Sequence, residues 1–411
     1  MGVIVQKYGG TSVADSQKIK NVAKRITQSH KDGNSVVVVV SAMGGSTDQL
    51  IKLAHEISDK PPERELDMLL STGEQVSIAL LAMAVSKLGF HAISLTGNQV
   101  GIITDEFYSN ARIKSINNDR ILSELDQGKI VILAGFQGIT IDDEITTLGR
   151  GASDTTAVAV AASLNADRCE IYTDVDGVYT SDPRVVKGAR KLDQITYDEM
   201  LEMAGLGTKV LHSRCVELAK KFEVPLSVRS SFHKGEGTII VKESKIMEEV
   251  VVSGVTSDKD QAKVSLIGLP DTPGMAAEIF QALADASINI DMIIQNASQD
   301  GTADLSFTTA EKDLDKTVEI VSRIKEKVGF NSVNGDFNIA KVSVIGIGMK
   351  SHVGIASKTF RVLADAGINI QMISTSEIKI SCVIKEDQTE NAVQVIHDVF
   401  ELGHVDNKVS N

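Results

Sequence analysis

Val3-Ile4-Val5-Gln6-Lys7-Tyr8-Gly9-Gly10-Thr11-Ser12 opens the chain with a β-branched run, a lysine and a pair of glycines. Val3–Val5 reads as a buried strand, and the glycines read as the turn that leaves it. Working outward, the pattern repeats through residue 240 or so. Val36–Val40, Ile130–Leu133, Glu170–Thr173 and Leu226–Arg229 are further strand-like runs. Ser16–Ser29, Glu74–Leu88 and Asp154–Leu164 carry helical spacing between them. Near-continuous apolar strands alternating with helices predict a parallel sheet covered on both faces, an α/β fold of the αβα sandwich kind. Such sheets place ligands where glycine-rich turns leave the C-terminal ends of strands. Lys7-Tyr8-Gly9-Gly10, Ser41-Ala42-Met43-Gly44-Gly45 and Thr173-Asp174 all stand at such ends.

The character changes around Lys234–Glu249, where a charged, Gly-containing segment reads as a last strand and a linker. Beyond it lies an internal repeat. Lys263-Val-Ser-Leu-Ile-Gly recurs 78 residues on as Lys341-Val-Ser-Val-Ile-Gly. Leu283-Ala-Asp-Ala-Ser-Ile-Asn-Ile-Asp-Met-Ile recurs 80 residues on, with Gly for Ser and Gln371 for Asp291. Each copy reads strand, helix, strand, strand, helix, a ferredoxin-like βαββαβ pattern. The predicted boundaries are 1–244 for the first domain and 245–411 for the repeat region. The first copy spans about 262–340 and ends in a strand at Ser332–Ala340. The second spans about 341–411 and ends in a polar tail, His-Val-Asp-Asn-Lys-Val-Ser-Asn, with no strand of its own. Glu249–Val255 is a β-rich run with no partner before the first copy. The reading is that this orphan strand completes the second copy, so that the first is inserted within it.

Composition narrows the function. The chain has 411 residues, too many for one ordinary core, with 42% hydrophobic and 24% charged residues. A net charge of −13 leaves no basic face for nucleic acid, and 4% aromatics with no Trp leave no stacking platform. Cys169, Cys215 and Cys382 form no CxxC pair and read as small buried hydrophobes. No uninterrupted apolar stretch reaches the roughly 18 residues of a membrane span. The N-terminus lacks a secretory pattern, and Gln6 stands where myristoylation requires Ser or Thr. A cytoplasmic protein is expected, without membrane or nucleic-acid partners.

Several segments carry chemistry. A lysine closing a strand before Gly9 and Gly10 suits a phosphate, because glycine lets N–H groups approach an anion; a plain turn explains it equally. Thr147-Leu-Gly-Arg150-Gly-Ala-Ser153-Asp154 pairs an arginine able to fork a carboxylate with an acid at a helix start. Ser153 or Asp154 would also cap a helix over Thr155–Leu164. Tyr172-Thr-Asp174-Val-Asp176-Gly-Val-Tyr179-Thr-Ser-Asp182-Pro-Arg184 is an acidic turn or part of a site. There is no Walker loop and no protein-kinase HRD or DFG segment. Gly346-Ile-Gly348 lacks the third glycine of a dinucleotide fingerprint.

In combination these segments decide more. KYGGTS, SAMGGSTD, STGEQVS, GRGASDTTA and YTDVDGVYTSDPR occur in this order, each at a strand end or helix start. Together they resemble aspartate kinases of the amino-acid kinase family, over residues 1 to about 240. The repeat resembles the paired ACT domains of the same enzymes. The resemblance implies ATP and Mg²⁺ as cofactors and L-aspartate as acceptor. It implies that Lys7 stabilises charge on the transferring phosphoryl group, with Gly9 and Gly10 donating N–H bonds and Asp154 organising Lys7. It implies that Thr47, Glu74, Arg150 and Ser153 hold aspartate, Glu74 at the α-ammonium and Arg150 at the α-carboxylate. Ser41, Thr173, Asp174, Tyr179, Arg184 and Lys209 would line the nucleotide site; no dedicated protein metal cluster is implied. Ala152 departs from the usual RGGSD, and would be costly if the backbone there needs φ > 0.

For the ACT-like copies the resemblance implies amino-acid effectors, lysine, threonine or both, at the helix–sheet junctions. Asp271, Gly274, Met275, Asn289, Asp291 and Gln295 form the first candidate site, and Ile355, Asn369 and Ile370 the second. The assembly implied is a homodimer through the ACT domains, or an α₂β₂ form whose regulatory subunit starts at Met247. Competing readings are another amino-acid kinase, such as glutamate 5-kinase, and an inactive amino-acid sensor on the same fold. A fused homoserine dehydrogenase is excluded by length and by the missing dinucleotide motif.

Overall fold

The computed structural model describes residues 2–206, 210–242, 251–298, 301–347, 349 and 353–404. The chain divides into two compact units. The first takes Met1–Val178, Lys191–Gly205 and Lys209–Met247; the second takes Tyr179–Arg190, Leu206–Thr208 and Glu248–Asn411.

The first unit is built on an eight-stranded sheet. Its order is Gln194–Thr196, Thr238–Val241, Leu226–Ser230, Arg168–Thr173, Val3–Tyr8, Ser35–Val40, Ile130–Ala134, Ala92–Leu95. Every pairing is parallel except Leu226–Ser230 with Thr238–Val241. Val36–Val40 are fully buried, which is why that run shows no polar alternation. Tyr8 pairs with Val40, so the turns that follow these two strands leave the sheet side by side.

Helix Ser16–Lys31 starts at Asp15, whose carboxylate accepts the Lys18 N–H at 2.8 Å. Ile19, Val22, Ala23 and Ile26 form its buried stripe, and each large side chain contributes about 1.5–3 kcal/mol by leaving water. Glu63–Leu70 and Thr72–Lys87 are separated only by Ser71. Together, Glu63–Lys87 is long and apolar enough to cross a membrane by length and composition. Counting uninterrupted apolar runs missed it, because polar residues are interspersed. Here Leu70, Ile78, Leu81 and Val85 are buried in the core of the unit. A second sheet, ordered Ile113–Ile116, Ile102–Thr104, Gln137–Ile139, Ile145–Thr147, was not expected. Its strands have three or four residues, too few to display a period.

The second unit holds a six-stranded sheet ordered Ile290–Ala297, Thr302–Ala310, Val251–Pro270, Ser332–Ile347, Lys379–Lys385, Met372–Thr375. Two long strands run through both copies of the repeat. The far half of Val251–Pro270 pairs with Ser332–Ile339, and the near half, Val251–Asp258, pairs with Lys341–Ile347. Ile339–Ile345 also pairs with Lys379–Lys385. The second copy's opening strand thus has the orphan segment as one neighbour, with the first copy lying between the two in sequence. Helices Met275–Asp285 and Ile355–Asp365 begin at Gly274 and Gly354, with φ of 102° and 112°, values that favour glycine.

Tyr179–Arg190 leaves the first unit to join the second. Val186 is buried there among Val252, Val344, Leu363 and Ile396. The Thr180 carbonyl accepts the Val255 N–H at 2.8 Å, and the Thr180 hydroxyl meets His397 Nε2 at 3.0 Å. Lys209, Met247, Glu249, Val250, Gly348, Lys350–His352 and the tail from Val405 lie outside the described residues.

Candidate active site

The turns after Val3–Tyr8 and Ser35–Val40 frame a cleft in the first unit of about 400 Å³. Lys7, Gly10, Ser41, Thr47, Glu74, Arg150, Ser153, Asp154 and Thr173 all line it. The sequence reading had named each of them. Lys7 Nζ sits 2.5 Å from Asp154 Oδ1, with both side chains about one-tenth exposed. Removal from water strengthens such a pair and fixes the ammonium in place. Gly10 has no room for a side chain: a Cβ there would stand 2.8 Å from the Ala42 carbonyl. Its own carbonyl accepts the Gly44 N–H at 3.1 Å, tying the two glycine turns together.

Glu74 is only 3% exposed. Its Oε1 accepts the Ala42 N–H at 2.9 Å, while its buried Oε2 has no partner among the described residues. Burial pushes its carboxyl up to about 7, against the lowering effect of the backbone donors. Among the described residues no cationic side chain pairs with this carboxylate. Arg150 supplies the opposite charge. Its Nη2 lies 3.0 Å from Asp48 Oδ1, with both side chains at least 70% exposed, a pair that a ligand displaces at little cost.

Helix Ser153–Ser163 begins one residue before Asp154, with Ala152 as its N-cap and no side-chain cap bond. Ser153 and Asp154 therefore occupy the first turn rather than capping Thr155–Leu164, and both face the cleft. Ala152 has φ −78° and is fully buried among Leu70, Ala111, Phe136 and Leu148. The left-handed backbone that would penalise alanine is absent there; Gly149 and Gly151 carry it instead, at 88° and 78°.

Sequence reasoning missed Phe136, which lines the cleft with a φ of 68°. A strained non-glycine at a site is a known mark of function, and nothing in the sequence displays it. It also missed Asp48, although Asp48 follows Thr47 at the start of helix Ser46–Ile57. Gly9 adjoins Lys7, and a Cβ there would lie 3.5 Å from Lys7 Nζ. Asp174 accepts the Thr173 hydroxyl at 3.0 Å. Tyr179 and Arg184 belong to the second unit, where Arg184 is exposed and pairs with Asp182 at 2.7 Å. Among the described residues no group of three or more His, Cys, Asp or Glu is placed to hold a metal.

Residues 2–230 match the amino acid kinase family, and residues 264–323 and 342–400 match the ACT domain. The aspartokinase of Mycolicibacterium smegmatis is 52% identical over 414 residues, covering 100% of this chain and 98% of that protein. The aspartate kinase Ask_LysC of Stutzerimonas stutzeri is 52% identical over 403 residues, covering 98% of each. The chain belongs to the aspartokinases of the amino acid kinase family.

Like them it is a phosphotransferase. The E. coli aspartokinase III in complex with aspartate and ADP, its R-state, superposes with a TM-score of 0.82 at 26% identity, covering 97% of this chain and 99% of that one. The T-state of that protein, with lysine and aspartate, superposes at 0.73 with 26% identity and coverage of 96% and 99%.

In this aspartokinase the ACT residues named from sequence fall on strands, helix starts and the connections beside them in the second unit. Gly274 and Met275 open their helix, with Asp271 exposed in the turn before it. The Asn289 carbonyl accepts the Thr309 hydroxyl at 3.0 Å. Gln295 is exposed on Ile290–Ala297. Asp291 is held by Lys341, which is only 3% exposed. At the repeat-related place Lys263 holds Gln371. Each copy's opening lysine thus reaches into the other copy. Ile355 and Ile370 pack into the second copy's core, and Asn369 is exposed.

Proposed function

We propose that this aspartokinase moves the γ-phosphoryl group of ATP onto the side-chain carboxylate of L-aspartate, giving 4-phospho-L-aspartate. We propose further that lysine, threonine or both act on it through the ACT copies, and that it works in the cytoplasm. The observation that carries the reading is the buried Oε2 of Glu74, without a partner among the described residues, in the cleft that also holds Arg150 and the Lys7–Asp154 pair. A buried carboxylate takes the α-ammonium and a displaceable guanidinium takes the α-carboxylate. The acceptor's side chain is then left to face Lys7, with Thr47 and Ser153 beside it.

The residue types suit the reaction. An aspartate side chain is already ionised at neutral pH (ordinary pKa about 3.9), so no general base is required. Phosphoryl transfer depends on alignment and charge neutralisation. Lys7 offers a fixed cation, oriented by Asp154, and the glycine turns let backbone N–H groups approach phosphate oxygens. Mg²⁺ would come with the nucleotide and supply further charge neutralisation there, since no group of three or more His, Cys, Asp or Glu among the described residues is placed to hold it. Support for effector control comes from the paired ACT domains and from the likeness to a lysine-bound aspartokinase.

A coupled assay of ADP release with aspartate, glutamate or buffer, repeated with lysine and threonine added, tests this. Turnover with aspartate, trapped as the hydroxamate, is the expected result. ADP release driven by glutamate, or ATP and aspartate bound without product, would overturn it. A sensor-only product starting at Met247 would show as a second band on a blot against the C-terminal region.

A further inference from the structure

We propose that Asp67 is a positioning residue for the acceptor-side loop, holding Thr147–Asp154 in the shape that aims Arg150 and Ser153 into the cleft. The inference rests on the reading of that loop as the grip on the acceptor. Asp67 lies in helix Glu63–Leu70, is 0% exposed and does not line the cleft. Its Oδ2 accepts the backbone N–H of Ser109 at 2.9 Å and of Thr147 at 2.8 Å. Its Oδ1 accepts the hydroxyl of Thr147 at 2.7 Å and of Ser109 at 3.3 Å. Among the described residues no cationic side chain pairs with it. A carboxylate buried without a counter-ion is expensive, and here donors from two remote segments are what compensates it. An amide could keep its oxygen on the two backbone N–H groups and donate its NH₂ to the two hydroxyls, so the change that removes the clamp is to alanine.

The loop needs such an anchor. Between Thr147 and Ser153 it contains two glycines with left-handed φ, Gly149 and Gly151, which leave a free chain loose. Arg150 stands between them and is largely exposed, its guanidinium meeting only the exposed Asp48, so the backbone largely sets where it points. Asp67 fixes the entry to the loop by its N–H and hydroxyl groups. Arg214 fixes the same entry by its carbonyls, donating to Leu148 O at 2.6 Å and Ala111 O at 2.9 Å. The Ala111 N–H in turn bonds the Thr147 carbonyl at 2.9 Å. An acid and a base thus clamp one short segment from two sides, and neither touches the cleft.

The test is steady-state kinetics of Asp67→Ala. The KM for the acceptor is expected to rise tenfold or more, while the KM for ATP and the kcat at saturating acceptor stay within about threefold. A residue that only stabilised the fold would lower the active fraction, so kcat would drop with both KM values unchanged; that outcome overturns the proposal. Thr147→Val removes one of the four bonds at nearly constant volume. It is expected to raise the acceptor KM about threefold, which keeps the question open to decision if Asp67→Ala folds poorly. Hydrogen exchange separates the two readings. In Asp67→Ala the Thr147 amide is expected to exchange at least tenfold faster, whichever acceptor the enzyme uses. Unchanged exchange sinks the clamp, and a wild-type enzyme inert to aspartate sinks only the acceptor assignment.

Discussion

Glu74 is destabilising where it stands, and that cost is measurable. Its carboxyl is raised from 4.5 to about 7 by burial. The folded state therefore holds a proton between about pH 4.5 and 7 that the unfolded state has released. Stability falls as pH rises through this window, and the full cost, roughly 3 kcal/mol, is present above pH 7. Glu74→Gln keeps an acceptor for the Ala42 N–H and removes the charge. The variant is expected to be about 1–3 kcal/mol more stable than wild type at pH 8, and no more stable near pH 4.5. Its aspartate KM should rise a hundredfold or more. A thermal melt at both pH values decides the point, and a loss of stability at pH 8 would refute the burial argument. In the wild type, the aspartate KM should climb about tenfold per pH unit below 7, as Glu74 takes up its proton. Ala152 gives a milder case: with φ at −78°, Ala152→Gly should leave kcat within twofold. Glu74 was legible because it sits in STGEQVS, one of five ordered segments. Asp67 was not, since a lone acid on an amphipathic helix reads as solvated, and its partners lie 42 and 80 residues away.

At the scale of elements, the glycine turn after the first strand has no room for a side chain at Gly10. Gly10→Ala would push a methyl to within 2.8 Å of the Ala42 carbonyl, which is backbone and cannot swing aside. The two turns must part, and kcat/KM for ATP is expected to fall at least a hundredfold while the helices keep their circular dichroism. The repeat elements give a second test. Lys341 is buried and Asp291 is its partner across the copies. Asp291→Ala leaves a buried ammonium unpaired and should cost about 2–4 kcal/mol, discounted from a fully buried pair because Asp291 is 42% exposed. Gln371→Ala, at the related place, removes a neutral acceptor and should cost about 1 kcal/mol. Equal losses in chemical denaturation would contradict this asymmetry. The long central strands were legible, because a strand buried on both faces must be an apolar run. The unpartnered run before the first copy was legible too, because the second copy lacked a closing strand. That it continues without a break to Pro270 was not, because the polar stretch at Ser257–Gln261 resembles a turn.

At the scale of the whole molecule, one segment belongs to both units by covalent continuity. The chain runs from Thr173, in the cleft, to Val178, then joins the second unit over Tyr179–Arg190, and returns at Lys191. The base of this excursion is tied: the Leu192 N–H bonds the Val178 carbonyl at 2.8 Å. The Thr238 hydroxyl accepts the Val178 N–H at 2.8 Å and donates to the Leu192 carbonyl at 2.6 Å. Its tip is tied as firmly, by Val186 in the apolar core of the second copy and Thr180 against His397. No sequence pattern announces this, since two valines behind an acidic turn look like loop. A change in the packing of that core therefore has a short mechanical route to Thr173 and Asp174. Coupling through it is a free energy shared by effector and substrate. Val186→Ala empties part of the core, at about 1–2.5 kcal/mol, without altering any residue of the cleft. Activity without effector should stay within twofold, while the effector concentration for half-inhibition rises several-fold. If the melt shifts and the inhibition curve does not, the segment serves packing alone, and the signal must leave the second unit elsewhere.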